Sequence, residues 1–433
     1  MITAELQKEW AEALLAARGA AGAPWLEELR NRAGGLIAEL PLVNRKQEAW
    51  RYTNVEPILR EQFQPVVNRP RGYAGAVPEA ITPHRLVFVD GWFMPSLSDV
   101  NLLPEEVTAG SLAEAIAAGD ERVKNRLGSV ANPGEHLFTA LNTALINDGL
   151  FLHIPAGVKL ESPVELFWLN SGSDAPLLAQ PRNLVILEPD AEAVLIEHHL
   201  PGSGQGYFHN GLSEIILDPR SRLDHYRVQD ESDQAWHLSR LVLDQGSDSH
   251  YHGITLAFGG RLARTEYNGL FTAEEAHCTL RGLYTVGDEQ LQDFHLDVRH
   301  DVPRCSSREQ FKGLLHGKGR AVFDGRILVE KDAQKSDAEL TNDNLMLTRN
   351  AEVDTKPQLE IYADDVKASH GTTVGQLDSS QIFYLRSRGI PEQRAIHMLC
   401  EGFAAEIIEH IHVEALREQA LARLRKTLAS LDG

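Results

Sequence analysis

Eighteen histidines and three widely spaced cysteines hold most of the metal-ligating and proton-transferring chemistry open to this sequence. One histidine stands apart. His370 lies in DDVKASHGTTVGQL, residues 364–377, among small and glycine-rich residues where a β-rich region gives way to helices. An imidazole there could bind a borderline-soft metal such as iron, or carry a proton near neutral pH. The other histidines offer less. His250 and His252 would share one face of a strand, whereas His198 and His199 would point to opposite faces, so hydrogen-bonded or exposed strand histidines are expected.

Several chemistries are excluded by spacing. HGKGRA at His316 has a lysine but neither the spacing nor the hydroxyl of a phosphate loop, so the chain is not itself an ATPase. PGSGQG, residues 201–206, sits between strand-like runs with no following helix and reads as a turn. Without a C-x-x-C pair or an H-x-x-x-H helix, no resident zinc or iron–sulfur centre is encoded. Cys278, Cys305 and Cys400 read as small buried residues. Carboxylates are plentiful but scattered, which leaves an autonomous β-helix enzyme acting on a carbohydrate or other polar substrate as the alternative class.

The formal net charge of −20 disfavours nucleic acid and anionic membranes as partners and leaves proteins or small ligands. Three cysteines form no disulfide framework, and the N-terminus lacks a basic region followed by an apolar run, so a cytoplasmic protein is expected.

Three regions are expected to position these residues. Residues 1–80 read as a helical domain and linker, with Thr3 capping one helix and Pro24 opening another. Residues 81–376 read as β-rich, opening with a hairpin turn at Asp90-Gly91. Strand–polar turn–strand phrases recur there at Leu187, Leu217, Leu243, Phe271, Leu315 and Leu347, mostly 26 to 32 residues apart, with one wider gap after Phe271. Stacked coils of a parallel β-helix satisfy that period; an antiparallel sandwich or barrel is the alternative. Residues 377–433 read as helical, capped by Ser379 or Ser380, with Gly389 as a helix-ending glycine and Pro391 opening the next helix. The apolar row Val413, Leu416, Ala420, Leu424, Leu428 and Leu431 suits internal packing or a partner groove.

KPQLEIYADDVKASHGTTVGQLDSSQIFYLRSRGI, Lys356 to Ile390, strongly resembles the SufD subunits of the SufB/SufD family, components of the SufBCD iron–sulfur cluster assembly complex. RKQEAWRYTN, Arg45 to Asn54, is similar to the N-terminal motif of the same family. SufB subunits are less similar, because their corresponding stretch lacks the DDVK-SHG wording. The resemblance implies a mainly β fold, a right-handed parallel β-helix core flanked by N-terminal and C-terminal helical domains. It also implies a non-enzymatic scaffold that pairs with a SufB-like subunit and docks a SufC-like ATPase through the C-terminal helices.

In such a complex a nascent iron–sulfur cluster, transient and shared with SufB, would be built beside a SufB cysteine at the position matching His370. A histidine that only hydrogen-bonds at the interface is the plain alternative. Many SufD sequences carry cysteine two residues before this histidine; here the position is Ala368, so the sulfur ligands fall to SufB or the site is structural. ATP binding by two SufC-like subunits is expected to reach the site through the helices after Ser379. No cofactor is expected to bind this chain stably by itself, and a reduced flavin on the complex is left open. The isolated chain is expected to form a homodimer through the edge that SufB would cover.

Overall fold

The computed structural model describes residues 3–19, 22–173, 175–202 and 206–431. Its centre is a parallel β-solenoid of about eight turns, in which successive strands alternate between two sheets. The first sheet ends on Arg320–Val329 and Glu352–Ile361; the second ends on Asp337–Met346 and Lys367–Gly375. Each strand pairs in parallel with its equivalent one coil on, so inward side chains such as Phe294 and Phe323 form columns, and Phe311 of the opposite sheet sits between these two with ring centroids 5.2 Å from each.

One corner of the coil explains the period read in the sequence. Asp190, Arg220, Asp248, Glu275, Arg304 and Lys335 all adopt positive φ, between 53° and 66°, and recur every 27 to 31 residues. This conformation is costly for a residue with a β-carbon. Stacking offsets the cost: Asp190 N–H donates to Pro219 O (3.1 Å), Arg220 N–H to Ser247 O (2.9 Å) and Arg304 N–H to Gln334 O (3.0 Å). The wider gap after Phe271 spans a coil whose turn, 301–305, reads DVPRC. After it, the phrases at Leu315 and Leu347 belong to the second sheet, whereas those from Leu187 to Phe271 belong to the first.

Helices cover the outer faces of both sheets. At the N-terminus, α1 (Ala4–Ala16) is capped by Thr3, whose side chain accepts from Leu6 N–H, and α2 (Pro24–Leu36) starts at Pro24. The short α3 (Glu56–Arg60) follows. The Asp90-Gly91 turn joins two antiparallel strands with φ of 51° and 86°. Between that hairpin and the first full coil lie three helices that the sequence reading did not anticipate: α4 (Leu112–Ala117), α5 (Glu121–Arg126) and α6 (Leu137–Ala144). They are short, and α6 is buried throughout.

The C-terminal helices are α7 (Ser379–Ser387), α8 (Glu392–Ile408) and α9 (Glu414–Ser430). Asp378, rather than Ser379 or Ser380, caps α7, its carboxylate accepting from Ser380 N–H at 2.8 Å. Gly389 takes the expected positive φ of 86°. The apolar row of α9 is spent internally. Leu416, Ala420, Leu424 and Leu428 pack with α8 against Tyr226, Ile254 and Leu314 on the outer face of the second sheet. Among the described residues, no helix is long and apolar enough to cross a membrane.

Candidate functional site

The last coil differs from the others in having nothing stacked on it. In Asp337–Met346 the residues Ala338, Leu340, Asn342 and Asn344 are buried, and they pair with Ala368, His370, Thr372 and Val374. Partners in a parallel ladder share a face, so His370 continues the inward row, directly beyond the fully buried Leu340. Yet His370 is exposed, and every residue of Glu352–Ile361 and Lys367–Gly375 is exposed or half-buried. Val353, Leu359 and Ala368 touch the core from this end, and Thr355 and Thr372 close to 3.1 Å between their hydroxyls. The solenoid therefore ends in an open mouth with His370 on its rim.

This edge is both polar and apolar. Its outer strands present backbone N–H and C=O groups with no further strand, the arrangement that recruits another chain. Ile361, Tyr362 and Val374 are exposed beside them, at 39%, 60% and 53%. Next to the mouth, all nine residues of α7 are exposed or half-buried, including Phe383 at 73% and Tyr384 at 57%.

Cysteines do not contribute to this edge. Cys278, Cys305 and Cys400 are buried, as the sequence suggested. Burial raises all three thiols, Cys400 to about 12 and Cys278 well above its ordinary value. They are thus protonated and poor metal ligands. His370 offers one imidazole, and any sulfur ligand near it comes from outside this chain.

The N-terminal motif reaches the same coil from the side. Trp50 is buried, with the Arg264 guanidinium 3.8 Å from its ring centroid. Arg264 also donates to Ala49 O at 2.8 Å, to Asp293 Oδ2 at 2.8 Å and to Glu266 Oε1 at 2.7 Å. Although burial opposes its ionisation, Glu266 is held well below its ordinary value by Arg264 and His136. Glu48 pairs with Lys356 in the final coil, and the bond lowers the Glu48 carboxyl. Between motif and sheet runs a charged groove of about 540 Å³, lined by Arg240, His295, Asp324 and Arg326 among others. Sequence reading missed this network because its members are single charges on consecutive coils, up to 308 positions apart.

Of the strand histidines singled out in the sequence, His198, His199 and His252 are hydrogen-bonded. His198 Nε2 lies 2.8 Å from Glu165 Oε1, His199 Nε2 3.2 Å from Glu197 Oε2, and His252 Nε2 2.9 Å from Arg281. Ser203, Gly204 and Gln205 of the turn read at 201–206 lie outside the described residues.

Comparison with known proteins places this geometry. The sequence model described as SUF system FeS cluster assembly, SufBD core domain, matches residues 167–403, and that of the SufBD protein N-terminal region matches 16–166. An iron–sulfur cluster assembly SufBD family protein of Synechocystis is 32% identical, covering 92% of this chain and 90% of its own. The iron–sulfur cluster assembly protein SufD of Escherichia coli is 34% identical, covering 89% of each. A chloroplastic Arabidopsis protein, ABCI7, is 27% identical over 91% of this chain and 84% of its own.

Proposed function

The chain belongs to the SufBD family of iron–sulfur cluster assembly proteins, and we propose that within it the chain is a non-catalytic scaffold whose last coil is completed by a SufB-like partner. The observation that carries this reading is the open mouth. A solenoid normally needs a polar terminal cap, and this one ends on in-register strands with exposed apolar side chains. Strands of a partner laid on Glu352–Ile361 and Lys367–Gly375 would satisfy the free edge and bury Ile361, Tyr362 and Val374. Without that partner, two copies of this chain pair through the same edge.

His370 then lies inside the junction. Its imidazole supplies one ligand or one proton-transfer group to a nascent cluster, which is cargo and not a resident cofactor. Thiolates come from the partner, because this chain has Ala368 two residues earlier and keeps its own thiols buried and protonated. The exposed face of α7, with Phe383 and Tyr384, docks a SufC-like ATPase, and α8 and α9 tie that helix to the second sheet. Movement at α7 thereby acts on the coil that carries His370.

Anaerobic affinity purification from cells expressing all subunits tests the reading. A SufB-like chain and an ATPase are expected to co-elute with the wild type and with His370→Ala, and cluster delivery to an acceptor is expected to be lost only in the variant. A lone chain or homodimer, with both partners expressed, would overturn the scaffold reading. Undiminished delivery by the variant would remove His370 from the mechanism.

A further inference from the structure

A second group of histidines, far from the mouth, is buried where the solenoid turns from its second sheet to its first. His199 ends the strand Glu192–His199, His209 lies near the start of Tyr207–Leu217, and His237 near the start of Trp236–Gln245. His209 and His237 are partners in register on adjacent strands. Each of the three offers a donor atom within 4.8 Å of the others, and their ring centroids are 4.8 to 5.0 Å apart. His237 is fully buried.

Their hydrogen bonding is incomplete. Neither ring nitrogen of His237 has a hydrogen-bond partner, and His199 Nδ1 has none. Glu231 Oε2 lies 2.8 Å from His237 Nδ1, close but out of hydrogen-bond alignment. The carboxylate is held from behind, accepting from Tyr207 Oη at 2.8 Å and Gln229 Nε2 at 2.9 Å. A buried imidazole with idle nitrogens is costly, and two of them side by side, His237 against a carboxylate, need an explanation.

We propose that His199, His209, His237 and Glu231 form a resident site for a divalent first-row transition ion, with zinc as the ordinary occupant. Three imidazoles and a carboxylate are a closed four-ligand set for such an ion. With bonds of about 2.0–2.1 Å, tetrahedral donors stand ~3.4 Å apart, so the rings draw in by about 1 Å on binding. Among the described residues, the carboxylates of Glu197 and Glu231 and the guanidinium of Arg227 lie at this nest, and Asp90 borders the adjoining cavity. His199 Nε2 is already engaged by Glu197, which orients the ring and leaves Nδ1 for the metal. A cavity of about 10 Å³ bordered by His209, Glu231, Tyr207 and Asp90 reaches the group from one side.

Two other His–carboxylate groups are worse sites. In Asp224–His252–His412 and Asp248–His250–His277 the side chains are half-buried or exposed, His252 is bonded to Arg281, and His277 Nδ1 lies 2.6 Å from Ser306 Oγ.

The test is to produce the full chain, with its partners where they co-elute, in medium containing Zn²⁺ or Co²⁺, and to measure metal per chain after extensive dialysis against chelator. The wild type is expected to keep one equivalent, with the Co²⁺ form showing the intense visible absorption of a tetrahedral site. His209→Gln with His237→Gln should lose both metal and absorption, while His250→Gln with His277→Gln keeps both. Should the double variant fail to fold, Glu231→Gln serves, expected to weaken retention at least tenfold and alter the Co²⁺ spectrum. A folded wild type holding no metal, or the same metal and spectrum in folded His209/His237 or Glu231 variants, would overturn the site.

Discussion

The coil built from Leu291–His300 and Ser306–Leu315 and the final coil built from Glu352–Ile361 and Lys367–Gly375 share period, pairing and two-sheet geometry. They differ in what lies above them. The earlier coil is sandwiched, and Phe294 and Phe311 are at most 1% exposed; the last has one neighbour and leaves its equivalent positions open. Local sequence builds the coil, then, but burial depends on the next layer. Where this chain provides none, the proposed partner would supply it at the end of the solenoid.

Substitutions can break the comparison. Phe311→Ala, amid Phe294 and Phe323, is expected to cost about 3–5 kcal/mol and to lower the urea midpoint of the isolated chain sharply. Leu359→Ala, on the half-buried inward row of the last coil, should cost under about 1 kcal/mol alone and weaken retention of the partner. Equal effects at the two positions would show that the open end is buried in the isolated chain.

Glu309 sharpens the comparison through pH. Its carboxyl is buried within the sandwiched coil with neither oxygen hydrogen-bonded, and burial pushes it up to about 8 from 4.5. The folded state therefore binds more protons than the unfolded state between those values, and stability falls as pH rises from about 4.5 to about 8. Glu309→Gln is expected to flatten that slope. His300 acts oppositely: burial lowers it to about 4, so its share of stability is lost as pH falls from 6.5 toward 4. Unfolding midpoints across this range read both.

The smallest effect belongs to the ion pair that ties the head to the last coil. Glu48 is 73% exposed at its side chain, so Glu48→Gln should cost no more than about 0.5 kcal/mol in the isolated chain.

Much of this architecture was legible because it is periodic. Polar turns between short strands repeat at the coil length, and Thr3, Pro24, Asp90-Gly91 and Gly389 are local signals that needed no tertiary knowledge. The turn at 301–305 was passed over although its left-handed Arg304 has a counterpart, Arg220, in the phrase that was read at Leu217. Helices α4 to α6 were hidden because they are short, and α6 is buried on every face. His370 was legible through a motif, whereas its place on an uncapped rim depends on register with Leu340. The triad of His199, His209 and His237 was not legible, since adjacent coils rather than adjacent residues bring it together.

The account rests on the last coil being an edge that a partner covers. Amide hydrogen exchange of residues 352–375 tests it most directly, comparing the dilute monomeric chain with the complex isolated with its partner. Fast exchange in the free chain and strong protection in the complex, with the strands 291–315 protected in both, is the predicted result. Protection of 352–375 unchanged by the partner would contradict it.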